Sequence, residues 1–167
     1  MITYKNKIEP LDIIIVYNKK SLLHRLIHGV THYKAGHVAL YLGDGIIIEA
    51  QSTGVKRKKW KSYKEGMKIY IGRYVALTEL QQLKIRQSCM DAENYKYSFG
   101  QLVAILIKYL FKLKRVPDVS KKQMICSEFI AWVFLSAGIK LADAKPWETT
   151  PADILKSDVL HLVKGWE

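Results

Sequence analysis

Two cysteines in 167 residues are too few to staple a fold together. Cys89 and Cys126 are therefore expected as free thiols, which fits a reducing compartment. Long apolar runs are missing too. Met1 to Pro10 is polar, and the apolar run Leu11 to Tyr17 is too short for the core of an export signal. The longest helical apolar run, Phe99 to Ile107, ends at Lys108, short of the roughly 20 residues that a membrane span needs. A cytoplasmic protein is the expectation. Repeats, low-complexity stretches and a domain boundary are equally lacking, so residues 1–167 are read as one domain, with 49% hydrophobic content to build its core. Acidic residues are scarce. Fifteen stand against 27 basic ones, a net charge of +12 that draws the chain toward something anionic. The charge alone does not choose among nucleic acid, anionic lipid and an acidic wall polymer.

What is present is concentrated in two stretches. Gln123 to Gly138 reads as a helix: Phe129, Ile130, Val133, Phe134 and Ala137 recur at the spacing of a wide buried face, and Gly138 suits the left-handed residue that stops a helix. Cys126 then falls in the first turn, where unpaired N–H groups and the positive end of the helix dipole converge. That setting favours thiolate, the reactive form. The competing reading is a small core residue, since cysteine is among the most buried types.

The second stretch is Gly36 to Ala50. Val38 to Leu42, then Gly43-Asp44-Gly45, then Ile46 to Ala50 read as a β-hairpin. With a three-residue loop, Leu42 faces Ile46 and Ala39 faces Glu49. His37 and Glu49 then become diagonal neighbours on one face, about 7–8 Å apart at the backbone. A two-residue loop puts them on opposite faces. Pairing therefore demands the longer loop or a bulge. A buried carboxylate is costly unless paired, and a Glu49–His37 pair would also orient the imidazole. Otherwise the two residues simply mark strand ends near solvent.

The remaining segments frame these two. Leu11 to Tyr17 is expected as a buried strand, and Ser21 as the cap of a short helix through His28, ended by Gly29. His24 and His28 are four apart, as in some zinc sites, but lack accompanying ligands. They are read as a solvated helix face, and no metal or other cofactor is expected. Gly54 to Lys64 interleaves six basic residues with Trp60 and Tyr63, suiting either a polyanion track or a charged edge strand. Met67 to Tyr74 is a strand with Met67, Ile69 and Ile71 on one face. Thr78 to Gln81 is a capping box opening a helix to about Asn94, which makes Cys89 structural. Ser98 to Arg115 is a basic amphipathic helix, either packed on the core or lying on an anionic membrane. Val116 to Lys122 is a polar linker. Thr150-Pro151-Ala152-Asp153 starts another helix, and Val159 to Val163 is a last strand.

Four segments, in this order, resemble the YiiX-type branch of the NlpC-like cysteine hydrolases, a family with a circularly permuted papain fold. They are Pro10-Leu11-Asp12-Ile13-Ile14; Gly36 to Gly45 with Ile48-Glu49-Ala50; Tyr97-Ser98-Phe99 followed by Cys126-Ser127-Glu128-Phe129-Ile130; and Thr150 to Leu155. The second and third are the specific ones. The resemblance implies an α+β fold, an antiparallel sheet packed on helices with the nucleophile at a helix N-terminus. It implies Cys126 as nucleophile, His37 as general base and Glu49 as the residue orienting His37. Leu11 replaces the family's usual glycine, Ala35-Gly36 its aromatic-serine pair, and Ser98 a common aspartate.

The implied chemistry is acyl transfer on an amide of a peptide or cell-wall-like stem peptide, with the Cys126 N–H as one oxyanion donor. Tyr41 and Tyr97 are candidates for the second donor and for substrate binding. A thiol acyltransferase or lipid-ester hydrolase at a membrane surface is the first alternative, since related permuted folds include lecithin:retinol acyltransferase-like proteins. A non-catalytic basic module binding an anionic polymer is the second. The expected partner is a peptide or acyl-bearing substrate, with an anionic membrane or wall polymer against the basic surface. Nucleic acid is not expected.

Overall fold

The computed structural model describes residues 8–60, 66–119 and 122–166, with side chains through 163. Lys61, Tyr63 and Lys64 of the basic run, and Ser120 and Lys121 of the linker, lie outside them.

An antiparallel sheet of six strands is the frame, in the spatial order β4-β3-β2-β1-β5-β8. The strands are β1 (Ile13–Tyr17), β2 (His37–Gly43), β3 (Ile46–Gln51), β4 (Gly54–Lys59), β5 (Lys68–Arg73) and β8 (His161–Trp166). Two short parallel strands, β6 (Lys96–Tyr97) and β7 (Gln123–Met124), form a separate ladder. The helices are α1 (Leu22–Thr31), α2 (Glu79–Ala92), α3 (Phe99–Leu110), α4 (Cys126–Ser136) and α5 (Pro151–Leu155).

Alternation sorts the sheet residues. Ile13, Ile15, Val38, Leu40, Ile48 and Ala50 pack under α2 and α4. Ile14, Val16, Ala39, Ile47, Ile69 and Ile71 fill the other face, with Ile8, Trp60 and Met67 against them. Every residue of β1 is buried, as a central strand with two dry faces requires. Phe129, Ile130, Val133 and Phe134 carry α4 into the first layer at zero exposure. Gly138, at φ 78°, stops the chain just beyond α4.

The hairpin solves its register problem with a bulge. The turn is the two-residue Asp44-Gly45, both at positive φ as a tight hairpin favours, and Gly43 faces Ile46. The register then shifts between Tyr41 and Gly43, and Tyr41 faces Ile47 and Leu40 faces Ile48. That is the pairing expected of a three-residue loop, reached by another route. One extra residue in β2 leaves His37 and Glu49 on one face.

Several boundaries differ from the sequence reading. Helix α1 runs through Gly29 to Thr31, and His32 at φ 62° ends it, because glycine within a helix costs only about 1 kcal/mol. Helix α3 ends at Leu110 rather than Arg115, since Lys112 turns to φ 52°. Gln123–Met124 pairs as a strand before α4 begins, and β8 starts two residues later than expected. The capping boxes at Thr78 and Thr150 are present.

Leu11 sits at φ 72° and is buried. Left-handed backbone costs a non-glycine residue roughly 1–2 kcal/mol, and burying a leucine returns roughly 1.5–3 kcal/mol. Leucine is therefore tolerated where the resembling family has glycine. Next to it Asp12, also buried, takes a two-pronged hydrogen bond from Arg73, Nε to Oδ1 and Nη2 to Oδ2, both 2.8 Å.

Phe134 lies at zero exposure between α4 and the sheet. Phe134→Ala should lower unfolding stability by about 3–5 kcal/mol, read as a lower urea midpoint at unchanged slope. A loss below about 1 kcal/mol would mean that this layer is not close-packed.

Candidate active site

Helix α4 begins at Cys126, with Ile125 as its cap residue. Glu128 reaches back and accepts from the Ile125 N–H at 3.3 Å. The first turn is thus tied down by Glu128, and Cys126 is only 6% exposed.

His37 opens β2, and Glu49 lies near the end of β3. His37 Nε2 sits 2.7 Å from Glu49 Oε2. The other imidazole nitrogen, Nδ1, remains for Cys126, with which the ring is hydrogen-bonded. Glu49 is 1% exposed, and its second oxygen lies 3.0 Å from Lys58 Nζ on β4. Sequence reasoning had Lys58 as one charge of a polyanion track or of an edge strand. β4 is indeed at the sheet edge, yet Lys58 turns back over Glu49.

The electrostatics follow from burial and pairing. Burial raises the Cys126 pKa, but the His37 charge and hydrogen bond, with N–H groups of Val38 and Ser127, overturn that and hold it below the ordinary thiol value. Burial lowers the His37 pKa, while Cys126 and Glu49 together outweigh it and push it up to about 10. These opposite shifts favour thiolate and imidazolium over the neutral pair. Cys89 has no such partner: burial pushes it up to about 12.

His24 is a residue that sequence reasoning misplaced. Far from a solvated helix face, its ring stacks on His37 with centroids 6.5 Å apart, and its Nδ1 accepts from the Asn18 N–H at 2.9 Å. Burial and the adjacent His37 charge lower its pKa to about 4, so a neutral ring lies beside the imidazolium. His28 packs edge-on against Tyr17 instead. Gly36 explains how His24 fits, because a Cβ at that position would lie 2.3 Å from the His24 ring. The departure from the resembling family at Gly36 and the presence of His24 are one packing arrangement. Among the described residues no group of His, Cys, Asp or Glu is placed to hold a metal ion.

A small recess leads to the thiol. Tyr97 and His24 line it with Cys126 and His37. Burial, then the Cys126 charge, raises the Tyr97 pKa, which keeps its hydroxyl protonated. Tyr41 is elsewhere: it packs against Trp60, and its hydroxyl accepts from the Gly45 N–H at 3.0 Å. It is not among the residues lining the recess, because it stands four residues farther along β2, packed with Trp60 against the layer of Ala39 and Ile47.

Fold and site together define a buried thiol–imidazole–carboxylate array, with the thiol on a helix and the other two groups on a sheet. No family model matches the chain. The chain is similar to the probable lipoprotein peptidase YaeF of Escherichia coli strain K12, at 26% identity over 144 residues. The match covers 71% of this chain and 53% of the relative, so the chain spans about half of that protein's length.

Iodoacetamide should alkylate Cys126 rapidly near pH 6 and spare Cys89. His37→Ala should move the pH midpoint of labelling up by about a unit or more, since burial then acts unopposed. Equal labelling of both thiols would contradict the ion pair. Gly36→Ala should cost about 1–3 kcal/mol by overpacking, and His24→Ala in the same chain should restore most of it. Thermal melts of the single and double variants check this.

Proposed function

We propose that the protein is a cysteine hydrolase that cleaves an amide bond of a peptide or peptide-like substrate through an acyl-thioester, using Cys126, His37 and Glu49. The observation that carries this reading is the single imidazole held between a helix-start thiol and a buried carboxylate. A non-catalytic basic module has no use for a buried ion pair, whose desolvation costs several kcal/mol per ion. The order His37, Glu49, Cys126 along the chain supports the circularly permuted papain arrangement, and similarity to a probable peptidase supports hydrolysis.

The steps follow from the pairing. The Cys126 thiolate attacks the carbonyl carbon, and the oxyanion is received by the Cys126 N–H and the Tyr97 hydroxyl. The tetrahedral species collapses, the C–N bond breaks, and the His37 imidazolium protonates the departing amine. Neutral His37 then takes a proton from water as it attacks the thioester. The acid leaves, and the thiol–imidazole pair is restored. Glu49 accepts from Nε2 throughout, which holds the ring in the tautomer and orientation that serve the thiol. Lys58 keeps Glu49 neutralised from its other side.

An ester or lipid acyl group is the second reading, favoured by the apolar lining of the recess, where Leu23, Ile27, Val30, Leu102, Ile105 and Leu106 stand. The chemistry at Cys126 is the same; only the leaving group differs.

Incubation with activated ester or peptide substrates, quenched in acid, should add the acyl mass to Cys126 and to no other residue. His37→Ala should slow turnover by about 10²–10⁴-fold, and Glu49→Gln should slow it while leaving Cys126 able to react with iodoacetamide. Turnover that survives Cys126→Ala would overturn the assignment.

A further inference from the structure

A second cleft meets the recess at Leu23, His24, His37 and Tyr97. Beyond those shared residues its lining turns polar, with Asn18, Ser21, Gln51 and Ser52. The acyl-transfer steps above use only His37 and Tyr97 of this lining. The side chains left over have one chemical character in common.

His24 is fixed in a single tautomer. Its Nδ1 accepts from the Asn18 N–H at 2.9 Å, so the proton of the neutral ring sits on Nε2. Asn18 and Gln51 are fixed likewise. Asn18 Oδ1 accepts from the Lys20 N–H at 2.9 Å, and Gln51 Oε1 accepts from Lys58 Nζ. Both of those partners can only donate, so each amide gives up its oxygen and keeps its NH2 group spare. Among the described residues the three spare donors have no protein partner, and all three side chains are partly exposed. A cleft that offers donors with their acceptors already engaged is suited to carbonyl oxygens.

The spacing suits a peptide. The leaving nitrogen takes its proton from His37, so it lies within hydrogen-bond reach of that ring. The next carbonyl oxygen along the leaving residue stands roughly 3–3.5 Å from that nitrogen, three bonds away. The His24 ring lies 6.5 Å from the His37 ring, centre to centre. One aminoacyl unit with a hydrogen bond at each end bridges that gap. A simple alkylamine would leave the donors unfilled, which costs binding.

We infer that this cleft is the subsite for the leaving side of the substrate, where His24 Nε2–H, Asn18 and Gln51 receive the carbonyl oxygens of a peptide that continues beyond the scissile nitrogen. His24 is then a substrate-binding residue as well as a neighbour of the catalytic imidazole. The inference rests on the hydrolase reading above and narrows its substrate to a chain with at least one residue on the amine side.

The test runs the leaving step backwards on the full chain. An acyl-thioester formed on Cys126 from p-nitrophenyl acetate is resolved by water or by an added amine. The amine nitrogen attacks the thioester carbonyl, its proton passes to His37, the C–S bond breaks and an amide departs. The entering amine thus takes the place of the leaving one. Glycinamide, glycylglycinamide and propargylamine are amines of similar basicity, and only the last lacks a carbonyl. Each rate of amide formation is divided by the rate of hydrolysis in the same mixture. Wild type should favour glycinamide over propargylamine about threefold to tenfold, the worth of one neutral hydrogen bond, and glycylglycinamide further still. His24→Leu should bring glycinamide down to propargylamine. His24→Gln, which places an amide N–H where Nε2–H stood, should keep most of the advantage. Gln51→Glu, which still accepts from Lys58 but has no donor, should remove the extra gain of glycylglycinamide. A His24 that only steadied His37 would slow both amines alike and leave their ratio unmoved.

Equal use of glycinamide and propargylamine by wild type, or a ratio unchanged in His24→Leu, overturns the subsite and leaves the thiol hydrolase standing. If His24→Leu fails to fold, the wild-type ratio and the response of Gln51→Glu decide. An unchanged dipeptide gain in Gln51→Glu overturns the place of Gln51 in the cleft. Failure of the ester to acylate Cys126 removes the hydrolase reading and the subsite with it.

Discussion

The buried carboxylate of Glu49 is the constraint around which the site is arranged. At 1% exposure it is tolerable only with partners, and two cations from different strands supply them. His37 arrives from β2 and Lys58 from β4, one at each oxygen. Because His37 is held on its Nε2 side, its Nδ1 side is presented to Cys126. The direction of charge along the array therefore starts at Glu49, even though the reactive atom is the sulfur.

That array needs two independent pieces of backbone to meet. The bulge before Gly43 sets the face on which His37 and Glu49 stand. Phe129, Ile130, Val133 and Phe134 set the depth of α4, and with it the position of its first residue. Neither piece alone creates reactivity. A thiol at this depth without His37 would resemble Cys89, inert and protonated, and a histidine without Glu49 would be free to rotate. His24 adds a third restraint by stacking on the imidazole while staying neutral, and Gly36 opens the space for it.

The apolar face of α1 and α3 connects to the same site rather than competing with it. Their inward residues line the way to Cys126, and their outward residues are exposed among lysines. Among the described residues no helix is long and apolar enough to cross a membrane.

Local pattern alone determined much of this. The helix of Cys126 was legible because its apolar spacing and terminal glycine are properties of adjacent residues, and so were the capping box at Thr78, the helix start at Thr150 and the strands at Ile13 and Ile69. Which face Glu49 shares with His37 was not, since a hairpin of this sequence supports two registers that differ by one residue and only the packed sheet selects between them. Tyr41 and Tyr97 looked equivalent as candidates. Their separation came from the packing of Tyr41 on Trp60 and from the β6–β7 ladder, which pairs Tyr97 with Met124 just before Cys126; sequence spacing carries neither. The turn of Lys58 toward Glu49 and the stacking of His24 on His37 were invisible for the same reason. The role of a charged or apolar side chain depends on what lies opposite it, and that is decided by contacts between segments distant in the chain, through burial and pairing, not by the residue's own neighbours.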